Sequence, residues 1–156
     1  MKRLLVATLF LLPSFGGAHD EGHGPKLSDQ PKQGGKVAPV IAAADASRGA
    51  KASLIYKSEI VKNEDGTIKV FLYDSKMNPL PEAHLGNFGK TAKATVEHIK
   101  RDKIVKKTEF PLELKEGVFQ GNLGEKPKTP TFNVDVKMTE GKKELLAAFD
   151  GLETSN

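Results

Sequence analysis

Residues able to do chemistry are sparse in this chain, and they gather near its start. His19-Asp20-Glu21-Gly22-His23 sets two imidazoles four residues apart with two carboxylates between them. There is no cysteine, so no thiolate is available for catalysis or for soft metal binding, and nitrogen and oxygen donors would have to carry any metal chemistry. What precedes His19 sharpens the reading. Lys2 and Arg3, an apolar run from Leu4 to Leu12, Pro13 and the small residues Gly16, Gly17 and Ala18 form an export leader with cleavage after Ala18. The cut would make His19 the first residue, and its α-amine and imidazole Nδ1 can chelate one ion. Two nitrogens in fixed geometry suit Cu(II). His23, or Asp20 and Glu21, could complete the shell from the same segment, and His84 or His98 could do so from the domain that follows. The alternative is that these side chains are simply solvated in a mobile tail.

Other motifs fail on geometry. His19-x-Glu21-x-His23 is not the zinc-protease pattern, because the Glu sits at the wrong offset and Gly22, Gly24 and Pro25 forbid the helix that motif needs. An amino-terminal copper motif with histidine third would require a cut after Asp20, a charged residue. His84 lies in a loop, Pro81 to Gly89, with Phe88 nearby, and is either a ligand or a solvated loop residue. His98 shares a strand face with Ala92, Ala94 and Val96, which places it at the core margin. Met77 and Met138 are soft donors for Cu(I), but Met138 falls on an apolar strand face and reads as core. No Gly-x-Ser-x-Gly, phosphate loop or carboxylate pair stands at a recognisable spacing, so no enzyme activity is expected.

The elements that must position these residues follow from composition and pattern. Removing an 18-residue leader leaves 138 residues, enough for one domain, and lowers the formal charge from +4 to +2. Basic residues are nearly all Lys and are interspersed with acidic ones, which argues against nucleic acid as a partner. Without cysteine no disulfide staples the exported fold and no lipid anchor follows the leader, so a hydrophobic core must hold a soluble protein together. The short leader points to the periplasm or to secretion beyond it.

Residues 19–36 are rich in Gly, Pro, Asp, Gln and Lys and read as a flexible arm. Val37 to Ile41 reads as a short strand that Pro39 would confine to a sheet edge. Ala42 to Ala52 reads equally as a helical turn or a loop. Ser53 to Val61, the turn Asn63-Glu64-Asp65-Gly66 and Thr67 to Tyr73 form a central hairpin, apolar on both faces. Thr91 to Lys100, Ile104 to Leu114, Val118 to Leu123, Phe132 to Met138 and Glu144 to Phe149 supply further strands. The alternation of Phe132, Val134, Val136 and Met138 is the clearest. About seven strands, each closed by a Gly, Pro, Asn or Asp signal, predict an all-β, Ig-like antiparallel β-sandwich over residues 37–152.

Ile68-Lys69-Val70-Phe71-Leu72-Tyr73-Asp74 followed by Asn78-Pro79-Leu80-Pro81, with the later Glu116-Gly117-Val118-Phe119-Gln120-Gly121 and the Phe132 to Met138 strand, resembles a group of small bacterial periplasmic Ig-like proteins. Members occur with heavy-metal efflux and copper-handling systems, and many carry His-Gly-Gly-x-Val before the first strand. Here Gln33-Gly34-Gly35-Lys36-Val37 stands in that place, without the histidine. Copper carriers of the CopC type share the mature amino-terminal histidine, although their further ligands have no counterpart here. The resemblance implies an exported metal-binding or metal-delivery protein, copper foremost, that works with an efflux protein or another envelope protein. The rival expectation is a metal-independent interaction module of the same fold.

Overall fold

The computed structural model describes residues 24–124 and 129–154; the leader and His19, Asp20, Glu21 and His23 lie outside them. Eight strands are present among the described residues: β1 (Lys36–Ala42), β2 (Tyr56–Lys62), β3 (Thr67–Tyr73), β4 (Thr91–Lys100), β5 (Lys103–Lys115), β6 (Val118–Asn122), β7 (Thr131–Glu140) and β8 (Lys143–Glu153). A 3-10 helix covers Ala43–Lys51, the stretch whose pattern left helix and loop open, and a four-residue helix α1 covers Glu82–Leu85. The all-β expectation holds. The sandwich does not, because the strands close into an antiparallel barrel in the order β1-β2-β3-β6-β5-β4-β7-β8, with β8 returning to β1.

Two facts explain the difference. In an Ig-type sandwich the second and third strands lie in different sheets. Here the four-residue turn Asn63 to Gly66, closed by Gly66 N–H to Asn63 O and Asn63 N–H to Thr67 O, makes β2 and β3 neighbours. The remaining strands form overlapping Greek keys, with β3 beside β6 and β7 beside β4 around the hairpin-linked β4-β5-β6. The wall is also very uneven. The ladders β4–β5 and β7–β8 are long, whereas β3–β6 joins only at Thr67 to Val70, β5–β6 only at Glu113 to Lys115 and β1–β8 only at Val40 to Ala42. Alternation along each strand is the same for a sandwich and for this flattened barrel, so the pattern alone does not separate them.

Pro39 illustrates the short β1–β8 ladder. It was read as an edge marker, yet β1 has a neighbour on each side. It lies in register with Lys57 of β2, while the β8 ladder starts only at Val40, so the missing N–H removes no rung on that side.

The interior is filled by side chains, as an eight-stranded barrel allows. Phe119, Phe132, Phe149, Ile60, Ile68, Leu112, Leu145 and Met138 are fully or almost fully buried, with Ala92, Ala94 and Val96 of β4 on the same inner surface. His98 continues that row and is buried. Its Nε2 stands 3.5 Å from Thr108 Oγ1, and desolvation, with Lys106 adding to it, holds the imidazole below its usual 6.5.

Two thin layers cover the outside. The 3-10 helix lays Ala43 and Ala46 over Ile41, Ala52 and Leu146. Residues 24–35, part of the segment read as an arm, cross the outer face of β1, β2 and β3 as a strap. At its start Gly24 rests so closely on Pro39 that a Cβ there would lie 2.6 Å from the ring. In its middle Asp29 pairs with the buried Lys57 at 2.7 Å. At its end the fully buried Glu59 carboxylate accepts the backbone N–H groups of Lys32, Gln33 and Gly35, each at 2.8 Å, and the Tyr73 hydroxyl at 3.1 Å. The Gly-Gly pair is required by this clamp: Gly34 turns at φ +75°, and a Cβ on Gly35 would lie 2.1 Å from Ile60 O.

Glu59→Ala should therefore cost about 3 kcal/mol, since it strands several buried donors at once. Hydrogen exchange should show the amides of residues 32, 33 and 35 losing protection before any barrel amide; unchanged protection would contradict the clamp. Gly35→Ala should produce the same exchange pattern by sterics alone. For His98 the sign is opposite to that of a paired histidine. Its contribution is full above about 6.5 and is lost as pH falls, because the unfolded chain takes up a proton that the folded one resists. His98→Gln should lose less stability than the parent in urea titrations between about pH 7 and pH 5.

Candidate functional site

At one end of the barrel three polar side chains meet. Tyr56 is the first residue of β2, Glu140 the last of β7, and His84 belongs to α1 in the connection between β3 and β4. Elements far apart in sequence are brought together by backbone bonds. The helical turn is closed by the N–H groups of His84 and Leu85 to Pro81 O, and Leu85 and Phe88 sink into the core. The chain then zips along the end of β7, with Gly89 N–H to Thr139 O, Gly141 N–H to Asn87 O and a bridge between Phe88 and Glu140. Phe88 supports the group from below, its ring centroid 5.9 Å from Tyr56, 6.2 Å from His84 and 6.4 Å from Phe119.

The polar atoms form a triangle. Tyr56 O–H donates to Glu140 Oε1 at 2.6 Å, Tyr56 Oη lies 2.7 Å from His84 Nε2, and Nε2 lies 3.1 Å from Glu140 Oε1. Counting protons fixes the histidine. The phenol has one hydrogen and gives it to the carboxylate, so Nε2 must carry the hydrogen that faces both oxygens; otherwise its lone pair would oppose theirs. Nδ1 has no partner among the described residues, and it is not a buried unsatisfied atom. His84 is therefore held through one nitrogen, with its side chain 36 % exposed and the other nitrogen open.

Burial, and then the hydrogen bond and charge of Glu140, push the Tyr56 phenol up to about 12. Tyr73, buried beside Glu59, is likewise pushed up to about 12, first by desolvation and then by the Glu59 charge.

Of the residues singled out from the sequence, His84 is the one the structure places in a polar cluster. His19, Asp20, Glu21 and His23 lie outside the described residues. His98 faces the interior near the opposite end, and Met77 and Met138 are both buried. No three His, Cys, Asp or Glu side chains converge among the described residues. Tyr56 and Glu140 escaped sequence reasoning, since one is an aromatic at the start of a strand of mixed polarity and the other looks like an ordinary turn residue before Gly141. A groove of about 670 Å³ runs elsewhere, over β4, β5 and β7, where Lys93 and Glu109 pair with each other at 3.0 Å.

These are the only two tyrosines, and the chain has no tryptophan, so the phenols can be titrated cleanly by near-ultraviolet absorbance. Phenolate should not form near pH 10 while the fold is intact. Because the folded pKa values lie above the unfolded one, the stability the phenols supply is complete below 10 and drains away as pH rises from 10 towards about 12. Ordinary ionisation near 10 in the folded protein would refute the triangle as drawn.

No protein-family model, curated protein or solved structure matches the chain.

Proposed function

We propose that this chain is an exported metal-binding or metal-delivery protein of the bacterial envelope that takes Cu(II) or a similar borderline divalent ion and works with an efflux system. One observation carries the reading: His84 is locked through Nε2–H against Glu140 and Tyr56, and its Nδ1 has no partner among the described residues. Metal-binding histidines are commonly held this way, with the second ring nitrogen donating to a carboxylate that fixes the ring and raises its basicity. Imidazole nitrogen suits copper. In this reading His84 Nδ1 is the ligand the barrel supplies, while Glu140 and Tyr56 position it.

The remaining donors come from the amino-terminal segment. His19, with its freed α-amine, anchors the ion, and His23, Asp20 or Glu21 assists. Connectivity supports the pairing of the two parts. Gly24, the residue after His23, rests against Pro39 and Ile41, and Val40 between them pairs with Tyr56 of the triangle.

Titration of the leader-free protein with Cu(II), followed by calorimetry and electron paramagnetic resonance, tests the proposal. One equivalent should bind with nitrogen hyperfine structure. His19→Ala and His84→Ala should each weaken it, and Glu140→Gln should lower affinity about 10–100-fold through the ring it orients. Weak binding indifferent to all three changes would leave the metal-independent interaction module. Mass spectrometry of the exported protein must find His19 first, since any other start removes the clamp.

A further inference from the structure

At the end of the barrel away from His84, the β4–β5 hairpin projects as a tip. Residues 100–107 are all exposed. They include five basic side chains, Lys100, Arg101, Lys103, Lys106 and Lys107, against the single acid Asp102. Among the described residues the exposed large hydrophobics are Ile104, 37 % exposed, and Val105, 56 % exposed, both on this tip. The register explains Val105. Ile99 pairs with Ile104 and His98 with Lys106, so Val105 is an extra residue without a cross-strand partner, bulged outward. The bulge leaves Val105, beside Ile104, as an apolar side chain exposed among basic residues.

We propose that this tip is a docking element for an anionic lipid surface, with Ile104 and Val105 entering the headgroup boundary and Arg101 and Lys103, with Lys100 behind them, meeting the phosphates. Shape and charge favour lipid over a protein partner. A stable protein interface buries roughly 800 Å² on each side around an apolar core, and a convex tip with two apolar side chains cannot supply that. A bilayer surface deforms around such a tip, and each basic residue near it adds roughly fivefold to binding. Lys106 and Lys107 are excluded from the count because each has an interaction of its own, Lys107 with Glu97 at 2.5 Å. Docked this way, the protein turns the His84 end towards the aqueous phase. The inference is independent of the metal reading.

Co-sedimentation of the leader-free protein with phosphatidylglycerol–phosphatidylcholine vesicles, and with pure phosphatidylcholine vesicles, tests it. Binding to the anionic vesicles alone, weakened by salt, is the expected result. Replacing Arg101 and Lys103 together by Gln should weaken it about 25-fold, on the basis of roughly fivefold per residue. Replacing Ile104 and Val105 by Ser should remove the part that salt leaves. These positions are exposed, so an unchanged circular dichroism spectrum and melting temperature should accompany each loss. Val105→Trp adds a sole tryptophan whose emission should shift to the blue on anionic vesicles. Failure of the parent to sediment at low salt, wild-type binding by both double variants, or a tryptophan that stays in water would each overturn the proposal. Capture of polyglutamate while vesicles are ignored would also overturn it, in favour of an acidic protein segment.

Discussion

A single buried carboxylate organises one whole side of this barrel. Glu59 sits in the middle of β2 with no access to water, and a charge there is tolerable only if it is fully hydrogen-bonded. Three backbone N–H groups and the Tyr73 hydroxyl meet that demand, and all three amides belong to the strap. The dependence runs both ways. The strap has little apolar surface of its own with which to offset the entropy of ordering, so the carboxylate and the Asp29–Lys57 pair are what fix it to the sheet. The Gln33-Gly34-Gly35 turn is the geometry that lets three amides point at one side chain.

The barrel end that begins β2 solves a related problem in the reverse sense. At the barrel end the donor of interest is left open instead of being satisfied. Glu140 accepts the Tyr56 hydroxyl and faces Nε2 of His84, which favours the tautomer with its hydrogen on Nε2. Phe88 keeps the underside dry, and its bridge to Glu140 ties the position of the carboxylate to that of the helix carrying the histidine. Rigidity of the ring and freedom of one nitrogen therefore come from the same three residues.

Much of the architecture was legible in the residues, and the exceptions share a cause. The alternations 92-94-96-98, 132-134-136-138 and 145-147-149 fall on the inner surface as read, and the Asn63 to Gly66 turn makes the hairpin as read. Local pattern decides those features. Barrel closure was not legible, because it depends on Val40 to Ala42 meeting Leu145 to Ala147, about a hundred residues away. The strap was hidden for a similar reason: its contacts are made by backbone amides, which have no signature in composition. At the candidate site His84 stood out as a histidine in a Pro/Gly loop, whereas Tyr56 and Glu140 become polar partners only through a fold that joins positions 56, 84 and 140. The polar triplet Lys57-Ser58-Glu59 inside the run from Leu54 to Val61 was the available hint of buried polar structure on β2.

The uneven wall has a mechanical meaning for the site. Beyond Val70 the strands β3 and β6 part, and the gap is occupied by the segment leading into α1: Leu80 N–H bonds to Leu72 O, Tyr73 bridges to Pro79, and Leu80 and Leu85 fill the interior beneath. The helix bearing His84 is thus also the stopper of the barrel. An ion taken up at His84, as proposed, would grip the stopper too, so occupancy and the integrity of the barrel mouth would draw on one shared free energy. A carrier built this way would be most firmly corked when loaded and most pliable when empty.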